Sequence, residues 1–351
     1  MKKFLAAIAA FSAVLALSSC SKKAQADEFG WFSNFDDAKK AANNDNKQII
    51  LYFSEKDAQN GNLEDKIFRT SEFKEKFSPE YVFCNLDFSA SRFDDVYQNK
   101  KTEISSDSEH EDSESLDSNS ETENSAKKRG SKETENLQSQ LSVDMALANV
   151  YAVQAFPAVY LVTKQGYMIS PVLVEEYYDI DDFQNEIEKT NERKQKVSGL
   201  LTTISTGKKA DVLSAIDELY TSTDDNYKFL LAELSEKYIN LDKKNESGKT
   251  VDHIFALANS RAQKALFEQD YDKAEKELVS PLDYKILTAE DRQQVYYSAG
   301  YFLAMSGSSN YDKIYEYFQK SYDEAPQSEY AEAIQSALDA VAEQKSQSYN
   351  Q

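Results

Sequence analysis

Metal-binding and redox residues are scarce in this chain of 351 residues, which contains two cysteines, two histidines and no Cys-x-x-Cys sequence. His110 and His253 lie far apart in sequence and have no cysteine partners, so a structural zinc site is not expected. Acidic residues outnumber basic ones, and the formal net charge of −21 argues against binding to nucleic acid. The sequence therefore predicts no metal and no other cofactor.

Long hydrophobic runs are also lacking, except for one at the N-terminus. Lys2 and Lys3 precede the apolar stretch Phe4–Leu17, which is too short to span a bilayer and is typical of an export signal. The sequence Leu17-Ser18-Ser19-Cys20 resembles the lipobox of bacterial lipoproteins. That resemblance implies a signal peptide over residues 1–19, acylation of Cys20 and a tether over 20–28. We therefore expect a lipid-anchored membrane protein of the bacterial cell envelope that faces the periplasm. The alternative is a secretory signal with a coincidental cysteine, and the choice between inner and outer membrane stays open.

The segment from residue 29 to 197 alternates between helical and strand patterns. Apolar runs of strand length are typical of strands buried on both faces, and apolar residues spaced by three or four predict helices. Pro157 precedes one such run; proline cannot donate to a strand ladder, and this position is often that of a cis peptide bond. The predicted order is helix Trp31–Asn44, strand Gln48–Phe53, helical stretch Leu63–Phe77 with Ser71–Phe77 as a separate turn, strand Tyr81–Asp87, helix Leu137–Val150, a strand after Pro157, strand Val172–Tyr178 and helix Ile180–Val197.

Residues 101–136 interrupt this pattern. Between Ser105 and Glu123 there are eight acidic residues and seven serines but no aromatic residue. Such a stretch cannot bury enough apolar surface to offset the entropy of ordering, so it predicts a disordered acidic insertion. Its carboxylates suit Ca²⁺ chemically, but the fixed spacing and the turn glycine of a calcium loop are missing.

The segments on both sides of the insertion resemble the thioredoxin superfamily, in particular its exported thioredoxin-like members. Trp31 followed by Asp36-Asp37-Ala38 is similar to the entry helix, and Leu63–Phe68 is similar to the helix after the active-site loop. Val153–Leu161 is close to the family's proline motif, with Ala155 where glycine is common. The resemblance implies an α/β thioredoxin-like domain over residues 29–192, with a central mixed sheet flanked by helices and a cis-proline loop at Phe156 and Pro157.

The same resemblance locates the missing redox pair. The two cysteine positions fall on Asp57 and Asn60 in one alignment, or on Ala58 and Gly61 in another, and neither places a sulfur there. Asp or Asn at this position suits a helix cap instead. Cys84 lies in an alternating strand pattern, where a cysteine usually behaves as a small buried hydrophobe. We therefore predict no catalytic residue in this domain.

The C-terminal segment, residues 196–345, has helical periodicity throughout. Tyr271-Asp-Lys-Ala274 and Tyr311-Asp-Lys-Ile314 echo each other forty residues apart, and the second copy resembles the second helix of a tetratricopeptide repeat as far as Pro326. Ala299 and Gly300 are small residues of the kind that the first helix of such a repeat needs. The alternative is an ordinary helical bundle. The many tyrosines on these helices fit either core packing or a peptide-binding surface.

These patterns favour a lipid-anchored envelope protein in which a redox-inactive thioredoxin fold and a tetratricopeptide-like domain bind an envelope protein or peptide. The hypothesis is therefore a binding or scaffold module and not an enzyme. One alternative is a thiol–disulfide oxidoreductase of the envelope that works through Cys84. Another is a purely structural envelope protein.

Overall fold

The computed structural model describes residues 26–55, 63–92 and 139–348. Within these residues the chain divides into two compact units. The first comprises residues 26–55, 63–92, 156–166 and 171–188, and the second comprises 139–155, 167–170 and 189–348. Cys20 and the acidic insertion lie outside the described residues.

Five strands form one mixed sheet. In chain order they are β1 (Trp31–Phe32), β2 (Gln48–Ser54), β3 (Tyr81–Asp87), β4 (Ala158–Val162) and β5 (Met168–Val172). Their order across the sheet is β1-β3-β2-β4-β5. Strands β1 and β2 run parallel to β3, whereas β4 runs antiparallel to β2.

Helices alternate with the strands along the chain as far as β4, and only helices follow β5. In chain order they are α1 (Phe35–Asp45), α2 (Ser71–Phe77), α3 (139–150), α4 (Ile180–Lys189), α5 (Asn191–Thr206), α6 (Lys209–Thr221), α7 (Ala232–Leu241), α8 (Thr250–Phe267), α9 (Tyr271–Val279), α10 (Ala289–Met305), α11 (Tyr311–Glu324) and α12 (Ala331–Ser348). Residues Glu64–Phe68 form a π-helical turn ahead of α2. The predicted coarse fold class, an α/β part with a mixed sheet followed by an all-helical part, is confirmed.

Strand β2 lies inside the sheet between β3 and β4, which explains its composition. Ile49, Ile50 and Leu51 are completely buried, so consecutive side chains on both faces of the strand are removed from water. A strand covered on both faces reads as a continuous apolar run and not as an alternating one. The strands predicted from such runs at Gln48 and Tyr81 are confirmed.

The helix predicted to begin at Trp31 begins later, at Phe35. Trp31 belongs to β1 and pairs with Phe83 of β3. The side chain of Asn34 accepts a hydrogen bond from the backbone N–H of Asp37, which satisfies one of the unpaired donors of the first helical turn. The prediction was wrong at this boundary because Trp31 stands four residues before Phe35 and extends the apolar spacing across the cap.

The last predicted strand of this sheet is also displaced. Val172–Tyr178 was predicted, but strand β5 covers Met168–Val172 and ends where the prediction begins. The chain turns at Gly166, whose φ of 95° lies in the left-handed region that glycine tolerates, and it enters β5 almost at once. Pro171 sits within β5, as is common for a strand at the edge of a sheet.

An aromatic cluster packs in the first unit between the sheet and the segments that contain Phe68, α2 and α4. The Trp31 ring stacks on Phe73 with centroids 5.5 Å apart, and its indole Nε1 donates to the Phe68 carbonyl oxygen at 2.8 Å. Phe183 of α4 packs edge-on against Phe68 at 5.3 Å and against Phe77 at 5.4 Å. These contacts hold the π-helical turn, α2 and α4 against the sheet.

In the second unit the later helices pack in sequential pairs, α8 with α9 and α10 with α11. The two Tyr-Asp-Lys sequences each begin a helix, at Tyr271 and Tyr311. The side chains of Asp270 and Asn310 cap these helices by accepting from the third backbone N–H. The helical prediction for this segment is confirmed, and the echo in sequence marks two equivalent helix starts.

Candidate functional site

The topology brings the ends of three strands together in the first unit. Strands β2 and β3 are parallel and in register, with Ser54 opposite Asp87, so their carboxyl ends lie side by side. Strand β4 runs antiparallel to β2 with Ala158 opposite Phe53, so β4 begins at the same edge. Pro157 immediately precedes β4, and the Phe156–Pro157 peptide bond is cis. We call Ser54, Asp87, Phe88, Phe156 and Pro157 the strand-end site.

Two phenylalanines form the apolar wall of the strand-end site. The rings of Phe88 and Phe156 stack with centroids 4.9 Å apart and an interplanar angle of 23°. Phe88 is buried and also lies 6.2 Å from the Phe53 ring, whereas Phe156 is only partly buried. Stacked aromatic pairs add about 0.5–1.5 kcal/mol beyond the area they bury. The stack therefore fixes the proline loop against the segment after β3.

The polar groups of the strand-end site are held by hydrogen bonds to one another and to their neighbours. Ser54 Oγ donates to Asn85 Oδ1 at 2.8 Å, and the Phe88 N–H donates to the Ser54 carbonyl oxygen at 2.7 Å. The Asp87 carboxylate accepts the backbone N–H of Ser89 at 2.9 Å. Ser54 is completely buried, and a serine whose hydroxyl donates to an amide oxygen is not activated by a base. The arrangement shapes a surface and provides no nucleophile.

A second group of polar atoms lies at the π-helical turn. Glu64 is 7% exposed, and its Oε2 accepts a hydrogen bond from Arg69 Nε at 3.0 Å. Its buried Oε1 has no hydrogen-bond partner within residues 26–55, 63–92 and 139–348. Trp31, Tyr52, Glu64, Phe68, Arg69 and Asn85 line a shallow crevice there that has no room for a water molecule. Burial raises the pKa of the Tyr52 hydroxyl, and the charge of Glu64 raises it further. The tyrosine therefore stays protonated, and the Glu64 carboxylate is paired with Arg69 beside the aromatic core.

The structure describes part of the predicted site. Phe156 and Pro157 belong to the strand-end site, whereas Asp57 and Asn60 lie outside the described residues. Cys84 is 0% exposed in β3, opposite Leu51 of β2. Sequence reasoning missed Phe88 and Glu64. Phe88 directly follows the predicted strand Tyr81–Asp87. A prediction that this strand runs parallel to its neighbour would have marked Phe88, because the residues after parallel strands meet at one edge.

The tyrosines of the helical unit divide between the two interpretations. Tyr297, Tyr311 and Tyr315 pack against a core of buried residues that includes Ile314 and Phe318. By contrast, Tyr301 is 52% exposed and Met305, one turn later on α10, is 69% exposed. Core packing therefore accounts for Tyr297, Tyr311 and Tyr315, whereas Tyr301 lies on an exposed apolar face of α10.

Buried polar contacts join the second helices of the two pairs. Glu275 of α9 is 7% exposed; its Oε1 accepts the Tyr317 hydroxyl at 2.5 Å and its Oε2 accepts Lys313 Nζ at 2.7 Å. Burial raises the pKa of Tyr317, and the hydrogen bond to Glu275 adds to that effect. These charge-assisted bonds fix α9 to α11.

The described residues contain no group of three or more histidine, cysteine or acidic side chains placed to hold a metal ion. No helix among them is both long enough and apolar enough to cross a membrane.

Comparison with known proteins gives one partial match. A family model described as an uncharacterised protein C-terminal domain matches residues 250–347, from the first residue of α8 into the last turn of α12. The match covers less than a third of the chain. No curated protein matches the sequence.

Proposed function

We propose that this protein is a lipid-anchored envelope lipoprotein whose thioredoxin-like unit has no redox pair and binds a protein or peptide partner. The lipobox at Cys20 supports the anchor. The observation that carries the binding role is the strand-end site, where a cis-proline loop and a Phe88–Phe156 stack form a shaped apolar wall. An aromatic wall of this kind packs against apolar side chains of a bound protein or peptide.

The environment of Cys84 favours binding over thiol–disulfide exchange. A reactive cysteine needs an accessible sulfur whose pKa is lowered by a helix N-terminus or a neighbouring cation. Cys84 instead lies within β3 at 0% exposure, with Leu51 opposite it on β2. A buried thiol in apolar surroundings is inert, so this residue suits packing.

The helical unit is proposed to be tetratricopeptide-like and to contribute to binding. Gly300 of α10 lies so close to α11 that a Cβ atom there would be 3.0 Å from the Phe318 ring, which is the close helix packing that such repeats need. Tyr301 and Met305 leave an apolar face on α10. Tyrosine and methionine are enriched where one protein binds another.

Site-specific photocrosslinking of the full-length lipoprotein in its native membrane tests the proposal. A photoreactive phenylalanine at Phe156 should give one reproducible protein adduct. The same residue at Tyr177, which is 76% exposed and lies outside the strand-end site, is the matched control and should not give that adduct. Identical adducts at both positions, or none at Phe156, would overturn the assignment of the strand-end site.

Alkylation of Cys84 separates binding from redox chemistry. Iodoacetamide at pH 6 should label the native protein at least about a hundredfold more slowly than the urea-unfolded protein, because opening of a buried strand is rare. Rapid labelling of the native protein, together with reduction of insulin disulfides, would support the oxidoreductase alternative. Incorporation of a labelled fatty acid, abolished in Cys20→Ala, tests the anchor independently.

A further inference from the structure

A single histidine joins three helices of the helical unit. His253 of α8 is 1% exposed. Its ring stacks on Tyr238 of α7, with centroids 3.9 Å apart and an interplanar angle of 25°, and it meets Tyr220 of α6 edge-on at 5.4 Å. The imidazole is therefore the shared packing element of α6, α7 and α8.

The hydrogen bonds of this ring suit its neutral form. Nδ1 lies 3.2 Å from Ser235 Oγ, a hydroxyl that can either donate or accept. Nε2 is buried and has no hydrogen-bond partner among the residues that the structure describes. Asp217 Oδ1 lies 3.7 Å from Nε2, which is too long for a hydrogen bond but within the range of an ion pair. A neutral ring leaves one nitrogen unsatisfied, whereas a protonated ring would bury a cation between two tyrosines.

The charges around His253 act in opposite directions. Burial lowers its pKa most strongly; Asp217 of α6 and Asp252 of α8 raise it, and Lys249, the residue before α8, lowers it. The facing group on α7 is the phenol of Tyr238. The net shift of the pKa is downward, because removing the imidazolium from water costs more than its attraction to the two carboxylates returns. The ring is therefore neutral at pH 7.

We propose that His253 is an acid-sensitive latch that holds α6, α7 and α8 together while its ring is neutral and loosens them when Nε2 takes up a proton. Protonation comes from solvent and breaks no covalent bond. The charged ring is then drawn towards Asp217, whose side chain is 30% exposed, and the packing of the ring among the three helices changes. This makes the junction of the three helices responsive to the acidity of the surroundings.

The direction of the effect follows from linkage. A histidine in the unfolded chain has a pKa of about 6.5, and the folded value is lower. The unfolded state therefore binds more protons below pH 6.5, so stability falls as the pH drops from 6.5 to the folded pKa. Across that window the unfolding equilibrium constant should rise by up to about tenfold per pH unit from this one group.

The test uses the full-length protein and a matched pair of variants. His253→Gln removes the titrating ring, and His110→Gln makes the same chemical change at the other histidine of the chain. Urea unfolding is followed by circular dichroism at pH 7.5, 6.5 and 5.5. Wild type and His110→Gln should share the additional loss of stability below pH 6.5, and His253→Gln should lack it.

A direct titration keeps the proposal testable if His253→Gln does not fold. In His110→Gln only one histidine remains, so its ring Cε1 proton resonance is assigned without further work. It should titrate below 6.5, and at still lower pH in the additional variant Asp217→Asn, because that change removes a carboxylate that raises the pKa. Titration at or above 6.5, or equal pH slopes in both glutamine variants, would refute the latch.

Discussion

Replacement of Asp242 by asparagine should destabilise the helical unit by an amount that depends on pH. Asp242 follows α7 and is 1% exposed. Its Oδ1 accepts the Glu246 N–H at 3.0 Å, and its Oδ2 accepts the N–H of Ser247 at 3.0 Å, the hydroxyl of Ser247 at 2.5 Å and the hydroxyl of Thr250 at 2.9 Å. This single carboxylate organises the turn that leads into α8.

The magnitude follows from the proton affinity of that carboxylate. Burial by itself would raise the pKa of Asp242, but the hydrogen bonds from Ser247, Thr250 and Glu246 outweigh burial and hold it at about 2. A shift of nearly two units from the ordinary value corresponds to about 2.5 kcal/mol. Asn keeps one oxygen and turns a donor towards other donors, so Asp242→Asn should lose about 2.5 kcal/mol at pH 7, or roughly 5–10 °C in Tm.

The assay is urea unfolding followed by circular dichroism, with Asp272→Asn as the control because Asp272 is exposed on α9. A depressed pKa gives stability that is complete above the unfolded value of about 3.9 and is lost as the pH falls towards 2. The gap between wild type and Asp242→Asn should therefore be constant from pH 7 to 5 and shrink from pH 4 to 2. A gap equal to that of Asp272→Asn, or one that stays constant down to pH 2, would refute the reasoning.

Three further predictions concern helix packing and capping. Glu275→Gln should lower the free energy of unfolding by about 1.5–3 kcal/mol in urea and should lower the pKa of Tyr317 in an ultraviolet titration. Both effects are expected because the substitution removes the carboxylate charge that accepts the Tyr317 hydroxyl. An unchanged tyrosine titration would count against the contact. Gly300→Val should cost about 1–3 kcal/mol, because its Cβ would be 3.0 Å from a ring of α11, whereas Gly199→Ala on α5, with nothing within 4 Å, should gain about 0.5–1 kcal/mol; the same sign for both variants would contradict the geometry. Asn34→Ala should lose about 1 kcal/mol in thermal melts followed by Trp fluorescence, because the helix start loses its cap; rescue by Asn34→Asp is the control.

Elements whose pattern depends only on local burial were predictable. Strand β2 is covered on both faces, so its run of apolar residues is sufficient to identify it. Boundaries that depend on a partner were not. Trp31 has helical spacing to Phe35, yet it pairs with Phe83 of β3, and the sequence around Trp31 does not predict that pairing. The bounds of strand β5 were predicted wrongly for the same reason, because the turn at Gly166 and the pairing of the sheet decide where the strand lies.

The sequence by itself determined the buried strand β2, the helical C-terminal part, the proline ahead of β4 and the lack of a Cys-x-x-Cys pair, because each is written in consecutive residues or a short repeat. The mixed sheet was implied only by the resemblance to the thioredoxin superfamily. Only the tertiary structure decided that Phe88 meets Phe156, that Glu275 joins α9 to α11 and that His253 lies between Tyr220 and Tyr238. The physical reason is range. Periodicity reports which face of an element is buried, whereas a contact between distant residues depends on how whole elements pack, and that information is spread over the entire chain.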